Sequence, residues 1–258
     1  MIHTVTASDV VAVGVTGRGP TVLAVHGAAG ASDVWDELVA RCPDLRFVRP
    51  DLRGFGRTPR GAAPSTFDEL VDDLAAVCEA LCDGPTWVVG FSFGGWLAVR
   101  LAERRPDLVA GLVLVGAPLR ADPALHGPFT EVLRRIAADG FVAEDLVTPF
   151  LGLWFSEAYR AAEPRVVAAA RDQLTHGDPE AVARMVRWHL DGPDLRATAA
   201  RLAVPVVPIV GDDERIVDVE ALRAAFGGVR VVPDCGHLVP LEQPDALARW
   251  VREAVTRG

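Results

Sequence analysis

A serine flanked by glycines can serve as a nucleophile when the chain turns sharply around it. Gly90-Phe91-Ser92-Phe93-Gly94-Gly95 has that form, directly after the apolar run TWVV and directly before WLAVRLAERR. A strand-to-helix turn this tight needs nearly side-chain-free residues two before and two after the serine. It lifts the serine Oγ clear of a sheet edge, beside a helix N-terminus. A hydroxyl attacks poorly unless a base takes its proton. The candidate base is His237, in Pro233-Asp234-Cys235-Gly236-His237-Leu238, just after the last apolar run. The other histidines compete less well. His3 is terminal, His126, His176 and His189 fall in a helical stretch without a strand end, and His26 closes an earlier strand.

A base of this kind needs a carboxylate to hold its tautomer. Gly211-Asp212-Asp213-Glu214 follows the strand-like run VPVVPIV and offers three acids in succession, any of which could be a solvated turn charge instead. The tetrahedral oxyanion of acyl transfer needs two N–H donors. The small residues Gly27, Ala28, Ala29 and Gly30 let backbone approach a substrate, so the expected donors are Ala28 and Phe93, the residue after the serine. Phe91, Phe93 and Trp96 near the turn, with aromatics farther along, predict an apolar pocket. Trp96, Trp154 and Leu238 are the expected substrate-binding side chains.

The elements that must hold these residues alternate between strand and helix. His3–Thr6 and Val10–Val15 read as a hairpin around Ser8-Asp9, and TVLAVHG, RFVRPD, TWVVGFS and GLVLVGAP as buried parallel strands. Leu70, Val71, Leu74, Val77, Cys78 and Leu81 recur at helical spacing, which predicts a helix over 66–81 capped by Ser65 or Thr66. From about Leu119 to Leu202 strand signals vanish, and helices are expected near 129–138, 142–150, 160–174 and 179–190. Alternation then resumes with VPVVPIVGDD, a helix near 219–226, VRVVPD and a helix near 244–256. The expected fold is α/β, with a core of 1–118 and 203–258 and a helical cap of 119–202 inserted after the sixth strand.

Composition narrows the partners. The chain has 258 residues, half of them hydrophobic, and a formal net charge of −9. That apolar content can bury a full core, and the acidic balance repels phosphate backbones and anionic headgroups, so neither nucleic acid nor a membrane is an expected partner. The sequence contains no lysine and no asparagine, which excludes a Schiff-base or P-loop lysine. Cys42, Cys78, Cys82 and Cys235 are scattered without a zinc-like spacing, and no metal or other cofactor is expected. With no basic leader and no long apolar run, the reading is a soluble cytoplasmic protein, monomer or homodimer.

Four motifs in order, HGAAG, DLRGFGRT from Asp51, GFSFGG and GHLVPLEQPDAL from Gly236, resemble those of the serine α/β-hydrolases with a helical cap. In such relatives the acid stands three residues after the glycine that ends its strand. Carried over from Gly211, that register implies Glu214, where the family more often has aspartate. Asp213 stays open as the acid, and Asp122 follows it, since a family variant places the acid after the strand GLVLVGAP. The same resemblance makes Asp51 and Arg53 a charged scaffold pair. A serine at the turn, rather than the aspartate of epoxide hydrolases and haloalkane dehalogenases, implies an acyl-enzyme formed from a small apolar ester or lactone. C–C bond hydrolysis, a cofactor-free perhydrolase or haloperoxidase-like activity, and a small-ligand receptor on the same fold are the alternatives.

Overall fold

Short runs that are apolar on both faces are stable as strands only with cover above and below, and the chain assembles them into one sheet. A computed structural model describes all residues except 7–9, 29, 61–65, 177 and 258. The expected Ser8-Asp9 turn, Ala29 and the alternative cap Ser65 therefore lie outside the described residues.

The chain runs through β1 (Ile2–Thr6), β2 (Val10–Gly17), β3 (Thr21–Val25), a 3-10 turn (Ser32–Trp35), α1 (Asp36–Arg41), β4 (Arg46–Pro50), α2 (Phe67–Leu81), β5 (Thr86–Phe91), α3 (Phe93–Arg104) and β6 (Val109–Val115). Helices α4 (Pro123–Asp139), α5 (Glu144–Trp154), α6 (Glu157–Ala162), α7 (Pro164–His176), α8 (Pro179–Asp191) and α9 (Arg196–Ala199) follow. The sheet then resumes with β7 (Val206–Gly211), α10 (Val219–Phe226), β8 (Arg230–Val232), α11 (Val239–Glu242) and α12 (Pro244–Arg257). The eight strands lie in the order β1-β2-β4-β3-β5-β6-β7-β8. Among the described residues, only the β1–β2 and β2–β4 pairings are antiparallel. This is the α/β-hydrolase architecture, a mostly parallel sheet flanked by helices, with a helical insertion after the sixth strand.

From β3 the chain steps outward to β4 and then back across to β5. That reversal opens a crevice at the carboxyl ends of β3 and β5, where open α/β sheets bind ligands. Val25 pairs with Gly90, so the loops that begin at His26 and Ser92 leave the sheet side by side. The residues after β6, β7 and β8 reach the same edge.

Helix α2 shows why the elements form where they do. Thr66 Oγ1 accepts from Glu69 N at 3.2 Å, and Glu69 Oε2 accepts from Thr66 N at 2.7 Å. This reciprocal cap satisfies two donors of the first turn, and the apolar stripe is buried against α3. Helix α4 begins at Pro123, earlier than expected, because Asp122 Oδ1 caps Ala124 N at 2.9 Å. The single helix expected over 160–174 is two, α6 and α7, because Pro164 has no N–H to continue the first. Helices α1, α9 and α11, which the sequence reading lacks, are too short to carry a periodicity.

Asp51 and Arg53 do not pair with each other. Asp51 binds Arg57 Nε at 2.8 Å and Ser32 N at 2.8 Å, which closes the loop after β4 onto the 3-10 turn. Arg53 instead reaches Asp73 on α2, with Nη2 at 2.7 Å from Oδ1, and both side chains are buried. Removing one partner would break this buried ion pair. Asp73→Ala is therefore expected to lower unfolding stability by about 3–5 kcal/mol, measured by urea denaturation. Among the described residues, no helix is long and apolar enough to cross a membrane.

Candidate active site

Ser92 sits between β5 and α3 with φ +50° and ψ −119°, a conformation L residues rarely adopt. Its neighbours explain how the turn survives. A Cβ on Gly90 would lie 2.5 Å from Gly95 Cα, and one on Gly94 would lie 2.3 Å from Val25 O, so only glycine lets α3 close on the strands. Ser92 N donates to Val115 O at 2.8 Å, and Ser92 O accepts from Gly95 N at 2.9 Å. The strained residue is held from both sides, as such residues at functional sites must be.

The loop after β3 is fixed by His26. Leu52 N donates to His26 Nε2 at 2.9 Å, so that nitrogen is the acceptor, and Nδ1 carries the proton and donates to Gly27 O at 2.7 Å. Burial pushes this imidazole below its ordinary value, against the pull of Gly27 O and of the nearby acids. A neutral ring thus ties the Gly27–Ala28 turn to the loop after β4, and Arg53 ties that loop to α2. The N–H of Phe93 is the first of α3 and has no carbonyl of its own helix to meet.

His237 is positioned by the acids around it. The Asp212 carboxylate accepts from Asp234 N and Cys235 N, both at 3.0 Å, Glu242 Oε2 accepts from Gly236 N at 3.0 Å, and Trp154 O accepts from Leu238 N at 3.2 Å. His237 Nδ1 then lies 2.8 Å from Glu214 Oε2, with the two side chains 4% and 1% exposed. A carboxylate only accepts, so Nδ1 carries the proton and Nε2 faces away from Glu214 with its lone pair. The other Glu214 oxygen accepts from Ile216 N at 2.8 Å and Val217 N at 3.3 Å. Burial alone would raise the Glu214 carboxyl, but the His237 charge and hydrogen bond and the two amides hold it below the ordinary carboxylate range. Asp213 turns outward to Arg215 at 2.8 Å, and Asp122 caps α4, so neither meets the imidazole. Gly116, at φ +52°, leaves the room this pair needs, since a Cβ there would come 3.0 Å from His237 Nδ1.

Ser92, His237 and Ala28 border one cavity of about 310 Å³, and its apolar wall includes Phe91, Phe129, Phe150, Trp154 and Leu238. Trp154 and Leu238 thus stand where a ligand can touch them. Trp96 does not. It is fully buried on the inward face of α3, against Phe67, and its indole N–H donates to Pro193 O at 3.1 Å. The Phe93 ring is likewise packing, stacked on Trp188 at 5.1 Å, so Phe93 offers only its backbone. His189, set aside in the sequence, lines the cavity from α8. The signal for it was helical spacing, since Val182, Met185, Val186 and His189 share one face. Burial pushes its imidazole below the ordinary value, and nearby His237 adds to this against the Met185 carbonyl. Among the described residues, no cluster of His, Cys, Asp and Glu could hold a metal ion.

A family model for the alpha/beta hydrolase fold matches residues 20–244. The chain is 30% identical to lipase LipV of Mycobacterium tuberculosis over 253 residues, covering 91% of this chain and 93% of that protein. Among solved structures it resembles a thermophilic esterase from Thermogutta terrifontis, with a TM-score of 0.88, 27% identity and coverage of 100% of this chain and 98% of that one. It also resembles the enol-lactonase from Burkholderia xenovorans LB400, with a TM-score of 0.85, 25% identity and coverage of 99% and 100%.

Proposed function

The chain belongs to the α/β-hydrolase fold family, and from that membership we propose that it is a cofactor-free serine hydrolase of small apolar carboxylic esters or lactones. The observation that carries this reading is the His237–Glu214 hydrogen bond at a cavity that Ser92 also lines.

In the first half-reaction Ser92 Oγ attacks the carbonyl carbon while His237 Nε2 takes the hydroxyl proton. The carbonyl oxygen gains negative charge, and the N–H groups of Ala28 and Phe93 receive it. His237 then returns the proton to the departing alkoxide, the C–O bond breaks, and the acyl group remains on Ser92. In the second half-reaction His237 deprotonates a water, which attacks the acyl carbon; the bond to Ser92 Oγ breaks, His237 returns the proton to that oxygen, and the acid leaves. With a lactone the alcohol and acid leave as one hydroxy acid. Glu214 keeps the proton on Nδ1 throughout and stabilises the imidazolium that forms. Trp154 and Leu238 contact the apolar part of the substrate, and residues 119–202 act as a cap over it. The free, mostly buried cysteines accord with a reducing cytoplasm.

Intact mass after treatment with a fluorophosphonate tests this directly. A single adduct that peptide mapping places on Ser92 is expected. A folded sample that takes no adduct, or takes it elsewhere, would overturn the assignment of the nucleophile.

A further inference from the structure

His189 offers one feature that ester cleavage does not use. Its Nδ1 lies 2.9 Å from Met185 O, one turn back on α8. A carbonyl oxygen can only accept, so Nδ1 carries the proton. The half-buried ring, its pKa lowered by its surroundings, is neutral, which leaves Nε2 with a lone pair. Among the described residues nothing hydrogen-bonds to that nitrogen. Its ring lies against Phe93, 5.6 Å away, and Phe129, 5.7 Å away, and the bond to Met185 O orients it. His189 borders the Ser92 cavity and also a second one beside it, and so stands in the wall between the two. Of the other polar side chains on the Ser92 cavity, Ser92 and His237 serve the reaction. Asp33 and Gln173 are exposed, where water competes for them, and the Trp154 indole N–H can only donate. An acceptor that opens onto the cavity from an apolar wall, with no protein donor to meet it, disfavours a purely apolar ligand that would strip it of water and favours one that brings a donor.

We propose that His189 Nε2 accepts a hydrogen bond from an O–H or N–H group on the substrate, so that the preferred esters carry such a donor near the scissile bond. This rests on the serine-hydrolase reading of the same cavity. His189 is then a specificity-determining residue, one that touches the substrate away from the reacting atoms.

The test is a set of matched esters that differ only in the donor. On the acyl side these are p-nitrophenyl hexanoate, its 2- and 3-hydroxy derivatives and the corresponding methoxy esters, which keep the inductive effect but cannot donate. On the alcohol side they are 2-hydroxyethyl and propyl butyrate. At least one hydroxyl ester is expected to exceed both its hydrogen and its methoxy counterpart (propyl butyrate on the alcohol side) by about tenfold or more in kcat/KM. In His189→Leu that ratio is expected to fall to about one, whatever the absolute rate, and His189→Gln, which keeps an acceptor, is expected to retain part of it.

Equal rates within every matched set, or a preference that survives in His189→Leu, would overturn the proposal. Calorimetric binding of the same esters to Ser92→Ala protein reads the preference without chemistry. If the wild-type protein cleaves none of them, the hydrolase reading fails, and the binding ratio still decides whether His189 selects a donor.

Discussion

Replacing Ser92 with alanine is expected to lower kcat for a short activated ester by on the order of a millionfold. His237→Ala is expected to cost about as much, and the double variant no more than either alone. The reason is that the two act as one unit. Without the base the hydroxyl is not nucleophilic, and without the hydroxyl the base has nothing to activate. The residual rate should come from the Ala28 and Phe93 donors and from substrate binding. Steady-state assays of the three variants read this directly, and a rate of wild-type order in Ser92→Ala would remove Ser92 from the mechanism.

Stability supplies an independent check on the same residue. Ser92 is held at φ +50°, where a Cβ is strained and glycine is not. Strain of this kind costs on the order of 1–3 kcal/mol. Ser92→Gly should therefore lose activity as completely as Ser92→Ala while unfolding at higher urea. A loss of activity that merely reflected damage to the fold would move the two measurements together.

How much of this was readable beforehand depends on what each residue answers to. The turn at Ser92 is legible because close backbone approach forces glycine at Gly90 and Gly94, and sequence records such constraints directly. The residues alone leave three successive acids open after Gly211, and only the register implied by the family resemblance points to Glu214 as the one that meets His237. Arg53 was harder. Its partner Asp73 lies on α2, and only the packing of that helix brings them together. Trp96 and His189 fail for a related reason. Helical periodicity reports that a residue faces inward, but not whether its neighbour is packed core or open cavity. Trp96 meets core and His189 meets cavity, and their spacings look alike.

The second large effect concerns Glu214, where the geometry separates three adjacent acids. Glu214→Gln should lower kcat by about 10⁴-fold. Glutamine keeps the shape, but its amide group can donate to His237 Nδ1. That stabilises the tautomer with the proton on Nε2, and a protonated Nε2 cannot take the proton of Ser92. Asp213→Asn should leave the rate near wild type, because Asp213 faces Arg215 at the surface. A larger loss in Asp213→Asn than in Glu214→Gln would move the acid by one residue. The same carboxyl also ties stability to pH. Its folded-state pKa is held below the ordinary glutamate value, so its contribution is fully present above the unfolded value. It is lost as pH falls through the folded one. Urea midpoints measured from about pH 6 down to about pH 3 should therefore decline less steeply in Glu214→Gln than in the wild-type protein. Parallel decline in the two would mean that the buried pair does not stabilise the fold, and that the rate loss has another origin.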